Sequence, residues 1–546
     1  MQSQIKLVAL QCLGSKSVSH CYLGLTPAGL IKVSFPFDAV TQAQLQRIKP
    51  RGFWRGGSNG WEFPLRAAKS LIDLLGTRFE VREDLAEWVK WFEYPLPGLP
   101  PHRELVANAD LEIDLVDGRS PLPHQRIGAR WLLARRGALL ADDMGLGKTL
   151  TALLAARAMV RVADVNVMVV APAGLHVHWL KEACALGLDI DLQSWASLPK
   201  NLPTFGTLLV VDEAHFAQSL KSKRTQALLR LARHPRLRAI WMLTGTPMKN
   251  GRPVELYPLL AAINHPLADD QRAFEKYFCQ GHWREHGSHR IWDCSGASNL
   301  KELRRLVRPL ILNRCKDGCF GLPPKIREEH LITLSESEAR GFDHRLALVL
   351  DEYRCRVQKG LVQSDAEPLA VLSALRQISA EFKLPAVSCF VKELMSQGKA
   401  IVLFSSFVKP LKLLQNHLGG VLLTGKQSLE QRELAVNSFQ KGDANLLLAT
   451  YWTGGLGYTL HRAKNVVLLE RPWTPGEVAQ AEDRCHRLGM DGPLISHWFK
   501  LGLADDLVDS LLVNKSQNIH ILMENDFAAT KKHSLSYMLH RFLQES

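Results

Sequence analysis

The sequence predicts an α/β protein of two similar parallel-sheet lobes with helical insertions, preceded by a small N-terminal α+β domain. Two series of short apolar runs carry this expectation. Residues 138–141, 166–171, 208–211 and 239–243 form the first series, and each run is flanked by a helix-like segment. Residues 400–405, 421–424, 445–450 and 465–470 repeat the arrangement further along the chain. Short runs apolar on both faces, separated by helices, fit the strands of a parallel sheet covered on both sides. Between the two series the alternation stops, and the chain reads as largely helical and rich in charge.

The expected boundaries follow. Residues 1–95 form the small domain, rich in Trp and Gly. Residues 96–119 form a linker, because proline crowds the stretch Tyr94-Pro-Leu-Pro-Gly-Leu-Pro-Pro101 and favours extended backbone. Residues 120–260 are the first lobe, 261–394 a helical connecting region, 395–520 the second lobe and 521–546 a helical tail. No short-period repeat or low-complexity tract is present.

Composition narrows the class. With 46% apolar and 22% charged residues, the chain resembles ordinary globular proteins and is not mostly disordered. No apolar run approaches the ~18 residues of a membrane-spanning helix, and the first twenty residues make a poor signal peptide. The expectation is a cytoplasmic, nucleoid-associated protein without a membrane partner. Sixty-eight basic residues against 54 acidic ones give a formal charge of +14, suited to a polyanion such as nucleic acid. The ten cysteines show no paired framework, so reduced thiols are expected.

Chemistry concentrates first in Ala138-Leu-Leu-Ala-Asp-Asp-Met-Gly-Leu-Gly-Lys-Thr-Leu150. An apolar strand runs into Met144, Gly145, Leu146, Gly147, Lys148 and Thr149, and a helical pattern starts at once. Glycines let backbone N–H groups curl around phosphate oxygens, and the helix N-terminus adds its dipole. Lys148 is placed to reach the β and γ phosphates of ATP, and the Thr149 hydroxyl to ligate Mg²⁺. Asp142 stands where the strict phosphate-loop pattern has a glycine. Leu208-Leu-Val-Val-Asp212-Glu213-Ala-His215 then brings two carboxylates to the end of a second strand. Asp212 fits a Mg²⁺ ligand acting through water, and Glu213 fits the group that orients the attacking water.

Together these segments resemble the superfamily-two helicases, and within them the Swi/Snf-type DNA translocases, whose lobes are RecA-like. Eight motifs follow in the family's order. Pro123-His-Gln125-Arg-Ile-Gly128 resembles the motif whose glutamine, here Gln125, reads adenine. Val169-Val-Ala-Pro-Ala173, with Trp179 and Glu182 after it, resembles a motif near the DNA backbone, where Lys181 also falls. Asp212–His215 is the DEAH-type box, and Leu243-Thr-Gly-Thr-Pro247 resembles the motif coupling hydrolysis to lobe movement. In the second lobe, Ile401-Val-Leu-Phe-Ser-Ser406 and Thr424-Gly425 with Arg432 fit the next two. Gly454-Gly-Leu-Gly457 and Gln480-Ala-Glu-Asp-Arg484-Cys-His-Arg487-Leu-Gly489 fit the last two. The resemblance implies that Gly457 helps to bind nucleotide and that Arg484 and Arg487 reach the γ phosphate from the second lobe. Three residues apart on an expected helix, these arginines would share one face. Met490, Thr453 and Thr474 replace residues more usual in the family, and none removes a phosphate, metal or finger group.

Phe35-Pro-Phe37-Asp38, Trp54 and Trp61-Glu-Phe-Pro64 resemble the small DNA-structure-binding module of HepA-related (HARP) annealing helicases. Leu322-Pro-Pro-Lys325 and the segment from Trp292 to Leu300 are similar to that branch too. Aromatics such as Trp54 and Trp61, interleaved with Lys49, Arg51, Arg55, Arg66 and Lys69, suit junctions of single-stranded and duplex DNA. Lys221 and Lys223, after the carboxylate pair, are further DNA candidates beside the alternative of a solvated helix face. Cys279, His282, His286, His289 and Cys294, with Cys315 and Cys319, resemble zinc spacing, yet they fall in a family helical insertion and no zinc is expected there.

The resulting expectation is a DNA-dependent ATPase using ATP and Mg²⁺. It translocates on double-stranded, forked or branched DNA, remodels or reanneals forks, and works as a monomer. Two alternatives stay open: an ATP-driven remover of proteins such as stalled RNA polymerase, and a nucleotide-gated DNA-binding adaptor without turnover.

Overall fold

This computed structural model describes residues 21–26, 30–48, 51–55, 60–63, 67–83, 85–86, 111–202, 206–234, 236–286, 289–316, 319, 321–359, 366–454, 458–487 and 489–523. Two compact units emerge, a small one within Met1–Pro97, joined by Arg233–Pro235, and a large one formed by the remaining chain.

The small unit is a five-stranded sheet. Strands β1 (Tyr22–Leu25), β2 (Ile31–Ser34), β3 (Phe53–Arg55), β4 (Gly60–Phe63) and β5 (Glu80–Val81) lie in the order β3-β4-β2-β1-β5. All neighbours are antiparallel except β1 and β5. Helix α1 (Ala39–Arg47) starts at Asp38, whose carboxylate accepts hydrogen bonds from the Val40 and Thr41 amides at 3.2 and 3.0 Å. That satisfies two of the N–H groups a helix start leaves without partners. Helix α2 (Ala68–Leu75) buries Leu71 and Leu75 against Leu23, Val33 and Phe63. The unit is the α+β domain the sequence predicts.

The large unit holds two wholly parallel six-stranded sheets. The first comprises β6 (Gly137–Leu140), β7 (Val167–Ala171), β8 (Asp191–Ser194), β9 (Thr207–Val211), β10 (Leu237–Leu243) and a two-residue strand, β13 (Ile311–Leu312). Their order is β13-β6-β10-β9-β7-β8. The second comprises β14 (Lys325–Leu331), β15 (Ile401–Ser405), β16 (Val421–Leu423), β17 (Leu446–Thr450), β18 (Asn465–Leu468) and β19 (Leu494–Lys500), ordered β14-β19-β18-β15-β17-β16. Every residue of β7, β9, β10, β15 and β17 is buried, the burial that helices on both faces of a parallel sheet impose. Each apolar run read from the sequence is a strand here, within one or two residues at either end.

Residues 261–394 hold helices and strands together. Two long helices, Glu336–Gln358 and Ala366–Ser396, do run through them. They also contain the antiparallel hairpin β11 (His282–His286) and β12 (His289–Asp293), and they supply one edge strand to each sheet, β13 to the first and β14 to the second. Strand β14 reads Lys-Ile-Arg-Glu-Glu-His-Leu and is mostly exposed, so it lacks the apolar signature of a central strand. The expected linker falls outside the described residues up to 110. Beyond that point it packs, with Leu111 and Leu115 buried and the Val116 amide donating to the Ala185 carbonyl at 2.9 Å. The chain's last described helix spans Leu503–Met523, and the rest of the expected tail lies outside the described residues. Among the described residues no helix is long and apolar enough to cross a membrane.

Candidate nucleotide site between the lobes

The loop leaving β6 turns twice through the left-handed region, at Gly145 (φ 89°) and Gly147 (φ 77°). Only glycine enters that region without strain. At Gly147 a Cβ would also lie 2.2 Å from the Gln125 amide nitrogen. Gly147 caps the helix Lys148–Val160, so the helix N-terminus opens onto the loop. Lys148 is half-buried there, its Nζ donating to the carbonyls of Asp142 and Asp143 at 2.7 and 3.1 Å. Burial pulls its pKa below the usual lysine value, against the attraction of Glu213, Asp142 and Asp212. An ammonium held only by backbone carbonyls can exchange them for phosphate oxygens.

Asp212 directly follows β9, and Glu213 comes next in the left-handed region, with φ 49°. The Asp212 carboxylate accepts from Trp179 Nε1 and from the Glu213 amide, both at 2.9 Å. Burial first, and the neighbouring Glu213 second, push its pKa up to about 6. Glu213 is equally enclosed, but His215, Lys148 and Arg484 outweigh the burial and hold its pKa below the ordinary value. His215 Nδ1 lies 3.0 Å from Glu213 Oε2. Two carboxylates with split acidities thus share one wall. Asp212 keeps unused lone pairs toward the cleft that Thr149 also lines, so this donor set fits a hard cation held partly through water.

The opposite wall belongs to the second lobe. Thr459, Arg484 and Arg487 line the same cleft of about 320 Å³ as Gln125, Met144, Gly145, Gly147, Lys148, Thr149, Asp212 and Glu213. Arg484 sits near the end of the helix Pro475–Cys485. Arg487 lies past that end, because the backbone at His486 leaves the helical region. The two guanidinium groups therefore do not share one helix face; a break in the helix brings both to one cleft. Arg487 donates to Thr459 Oγ1 at 2.9 Å and to the Asp483 carbonyl at 3.2 Å. Burial, and then repulsion from Arg487, lower the Arg484 pKa to about 10.

A network invisible in the motifs holds this wall. Lys316 Nζ donates to the His486 carbonyl at 3.0 Å and pairs with Asp483 at 3.0 Å, while its backbone amide donates to Asp143 at 3.0 Å. Lys325 pairs with Asp483 at 3.0 Å, and Arg327 grips Glu482 through two bonds of 3.1 and 2.8 Å. Arg314 forms a two-pronged pair with the fully buried Asp142 and also donates to the His124 carbonyl. The carboxylate in place of the pattern's glycine is the anchor for this arginine. The lobes also meet where Gly476 faces Thr246, which a Cβ would approach to 2.5 Å, and where Lys249 pairs with Glu477 at 2.8 Å. Thr474, one of the unusual residues, caps the helix that carries Arg484. Thr453 is buried and bonded to Thr450 at 3.0 Å.

Other expected residues fall elsewhere. Gln125 is buried at the cleft, its amide already used: Oε1 accepts from the Leu122 amide at 2.9 Å, and Nε2 donates to the Leu146 carbonyl at 3.3 Å. Leu146 is fully buried and contributes only that carbonyl. Trp179 and Glu182 are both buried. The tryptophan orients Asp212, and Glu182 grips Arg119 through two 3.1 Å bonds at the cleft wall. Arg119 and His178 line the cleft without having belonged to any quoted motif. Lys181, Lys221 and Lys223 are exposed on the first lobe. In the small unit Trp54 is half exposed, whereas Trp61 is buried with its ring stacked on Phe63. Trp61 is thus a core residue and unable to stack on a base. Gly457, Lys49 and Arg66 lie outside the described residues. Cys279 belongs to the first lobe's apolar core, and burial raises its thiol pKa.

Residues 124–186 and 194–384 match the SNF2-related domain, and residues 385–489 match the helicase conserved C-terminal domain. The mouse DNA annealing helicase and endonuclease ZRANB3 is 28% identical over 438 residues, 72% of this chain and 40% of that protein. The SWI/SNF-related matrix-associated actin-dependent regulator of chromatin subfamily A-like protein 1 of Xenopus tropicalis is 26% identical over 447 residues, 76% of this chain and 46% of that protein. The chain therefore spans less than half the length of these curated relatives. The Sulfolobus solfataricus SWI2/SNF2 ATPase core in complex with dsDNA aligns at 20% identity with a TM-score of 0.35, covering 76% of this chain and 99% of that one.

Proposed function

The chain belongs to the SNF2-related helicase family, and on that premise we propose that it hydrolyses ATP to translocate along double-stranded DNA. One observation carries the proposal: Lys148 and the Asp212–Glu213 pair from one lobe, and Arg484 and Arg487 from the other, line a single cleft. The loop amides and Lys148 bind the phosphates, Lys148 giving up its two carbonyl partners. Glu213, kept ionised by its cationic neighbours, orients the attacking water. Arg484 and Arg487 neutralise charge that develops on the γ phosphoryl group, and their effect depends on lobe closure. Thr149, and Asp212 through water, would hold Mg²⁺, which would supply further charge neutralisation at the phosphates.

Duplex DNA is gripped mainly through phosphates, so binding weakens steeply with salt and is indifferent to sequence. The exposed Lys181, Lys221 and Lys223 are the proposed contacts on the first lobe. In the small unit, exposed Trp54 beside exposed Phe53 and Arg51 supports recognition of unpaired bases at a fork. The annealing-helicase relatives support reannealing or fork remodelling as the outcome. One chain holds both halves of the cleft, which favours a monomeric motor. The test is ATP turnover and third-strand displacement from triplex DNA, measured with single-stranded RNA, single-stranded DNA, blunt duplex and forked duplex. We expect duplex to stimulate turnover and a fork to do so more. Strongest stimulation by RNA would reject the proposal, as would an absence of turnover.

A further inference from the structure

We infer that the edge of the second lobe carries a binding site for a divalent cation of the zinc class, formed by Glu328, His330 and His497. Glu328 and His330 stand two residues apart on edge strand β14, and His497 lies opposite Glu328 on β19, so all three point to one face. Their ligand atoms lie within 4.8 Å of one another.

The hydrogen bonds around His497 fix which nitrogen is bare. The partner of its Nε2 is Asn465 Oδ1, an amide oxygen that can only accept. His497 Nε2 lies 3.2 Å from that oxygen and so carries the proton. The neutral ring therefore turns an unprotonated Nδ1 toward its neighbours. One is His330 Nε2 at 3.1 Å, which can donate to it. The other is Glu328 Oε2 at 3.3 Å, a carboxylate with no proton to give. Acceptor faces acceptor, beneath a histidine only 4% exposed. A cation among the three atoms turns that repulsion into coordination.

Geometry and chemistry agree. Zinc–nitrogen bonds of about 2.0–2.1 Å in a tetrahedron place neighbouring ligands about 3.3 Å apart, close to the 3.1 and 3.3 Å that separate His497 Nδ1 from His330 and Glu328. Asn465 Oδ1 already supplies the outer partner that orients a ligating imidazole. Both rings are also held by packing. His330 stacks on Phe499 with centroids 4.8 Å apart, and Phe390 lies 4.9 Å from His330 and 4.8 Å from His497. Two imidazoles and one carboxylate suit Zn²⁺, Co²⁺ or Ni²⁺ over the oxygen-seeking Ca²⁺ and Mg²⁺. The Glu328 side chain is 47% exposed, which leaves a route in and room for water as a fourth ligand. The ion would fasten β14 to its sheet, and β14 is the strand whose Lys325 and Arg327 hold Asp483 and Glu482 beside the cleft arginines.

The experiment is calorimetric titration of chelator-stripped full-length chain with Zn²⁺ alone, followed by Co²⁺ for its visible absorption. One ion per chain is expected at this site. His330→Gln and Glu328→Gln should each weaken it about tenfold or more, and Cys279→Ser/Cys294→Ser should leave it intact. Both test positions are at least partly solvent-facing, so an unchanged thermal midpoint in chelator certifies that the variants fold. Absence of Zn²⁺ binding would overturn the site, leaving a proton on His497 to bridge the contact. Binding lost only with the cysteines would overturn it equally.

Discussion

The two walls of the cleft are built on opposite principles. On the first lobe, Lys148 and Glu213 are set by their nearest chain neighbours, while Asp212 is oriented by Trp179, 33 residues back. Lys148 rests on carbonyls five and six residues back, and Glu213 donates its amide to the residue before it. On the second lobe, Arg484 and Arg487 depend on residues far away in sequence. Lys316, Lys325 and Arg327, all more than 150 residues distant, hold Glu482, Asp483 and the His486 carbonyl in place. The Lys148 and Glu213 contacts are local, and the arginine wall is suspended from distant residues. A suspended wall can move as a unit when the lobes close, which is what a cation acting on the γ phosphate requires.

Substitutions can break this contrast. The largest effect is expected for Lys148→Ala, which should weaken nucleotide binding and lower turnover by about 10³-fold, since one preorganised charge at a developing anion is worth that much. Glu213→Gln should lower kcat by about 10²-fold with nucleotide binding retained, because it removes the water-orienting group and no phosphate contact; equal losses in kcat and affinity would show that Glu213 serves binding. Next is Arg314→Ala. It strands the buried Asp142 carboxylate and should cost about 3–5 kcal/mol of stability in chemical unfolding. Adding Asp142→Gly, the residue of the strict pattern, should recover most of the loss. If it recovers none, the pair is not what holds β13 to the phosphate loop.

The smallest effect concerns pH at the seam between the lobes. Lys515 donates to the Trp473 carbonyl at 2.6 Å and to Asn250 Oδ1 at 3.4 Å, and burial lowers its pKa to about 8. A depressed folded-state pKa means that the unfolded chain holds this proton more tightly. Stability from this group is therefore lost as pH falls through about 8 and grows as pH rises from there toward the ordinary lysine value. The thermal midpoint should rise between those limits, and Lys515→Met should remove that slope. A slope unchanged in the variant would place its origin elsewhere.

The same contrast explains what the sequence disclosed. Central strands are buried on both faces and advertise themselves as apolar runs, so β6, β7, β9, β10 and their second-lobe equivalents were legible. Most edge strands are not, although the edge strand β16 is apolar enough to show, and the central β19, Leu-Ile-Ser-His-Trp-Phe-Lys, is mixed enough to be missed. Strand β8 reads Asp-Leu-Gln-Ser, β13 has two residues, and β14 is dominated by charge. Lys148, Asp212 and Glu213 could be found because strand–loop–helix chemistry confines them to a few consecutive positions. Arg314, Lys316 and Arg327 escaped because an ion pair across 150 residues leaves no local pattern. Trp61 misled for a related reason: composition marks a tryptophan as available for stacking, while only packing decides whether its face is free. Arg487 was located by its motif, but the helix break at His486 that aims it was not.

The central claim is that arginines of one lobe act on the phosphoryl group bound by the other. The most direct measurement compares the affinity of Arg487→Ala and wild-type chains for ADP and for ADP with aluminium fluoride, in the presence of duplex DNA. The account predicts ADP binding within about threefold of wild type and a loss of about 10²-fold or more for the transition-state mimic. Equal affinity of the variant and wild type for the mimic would contradict it.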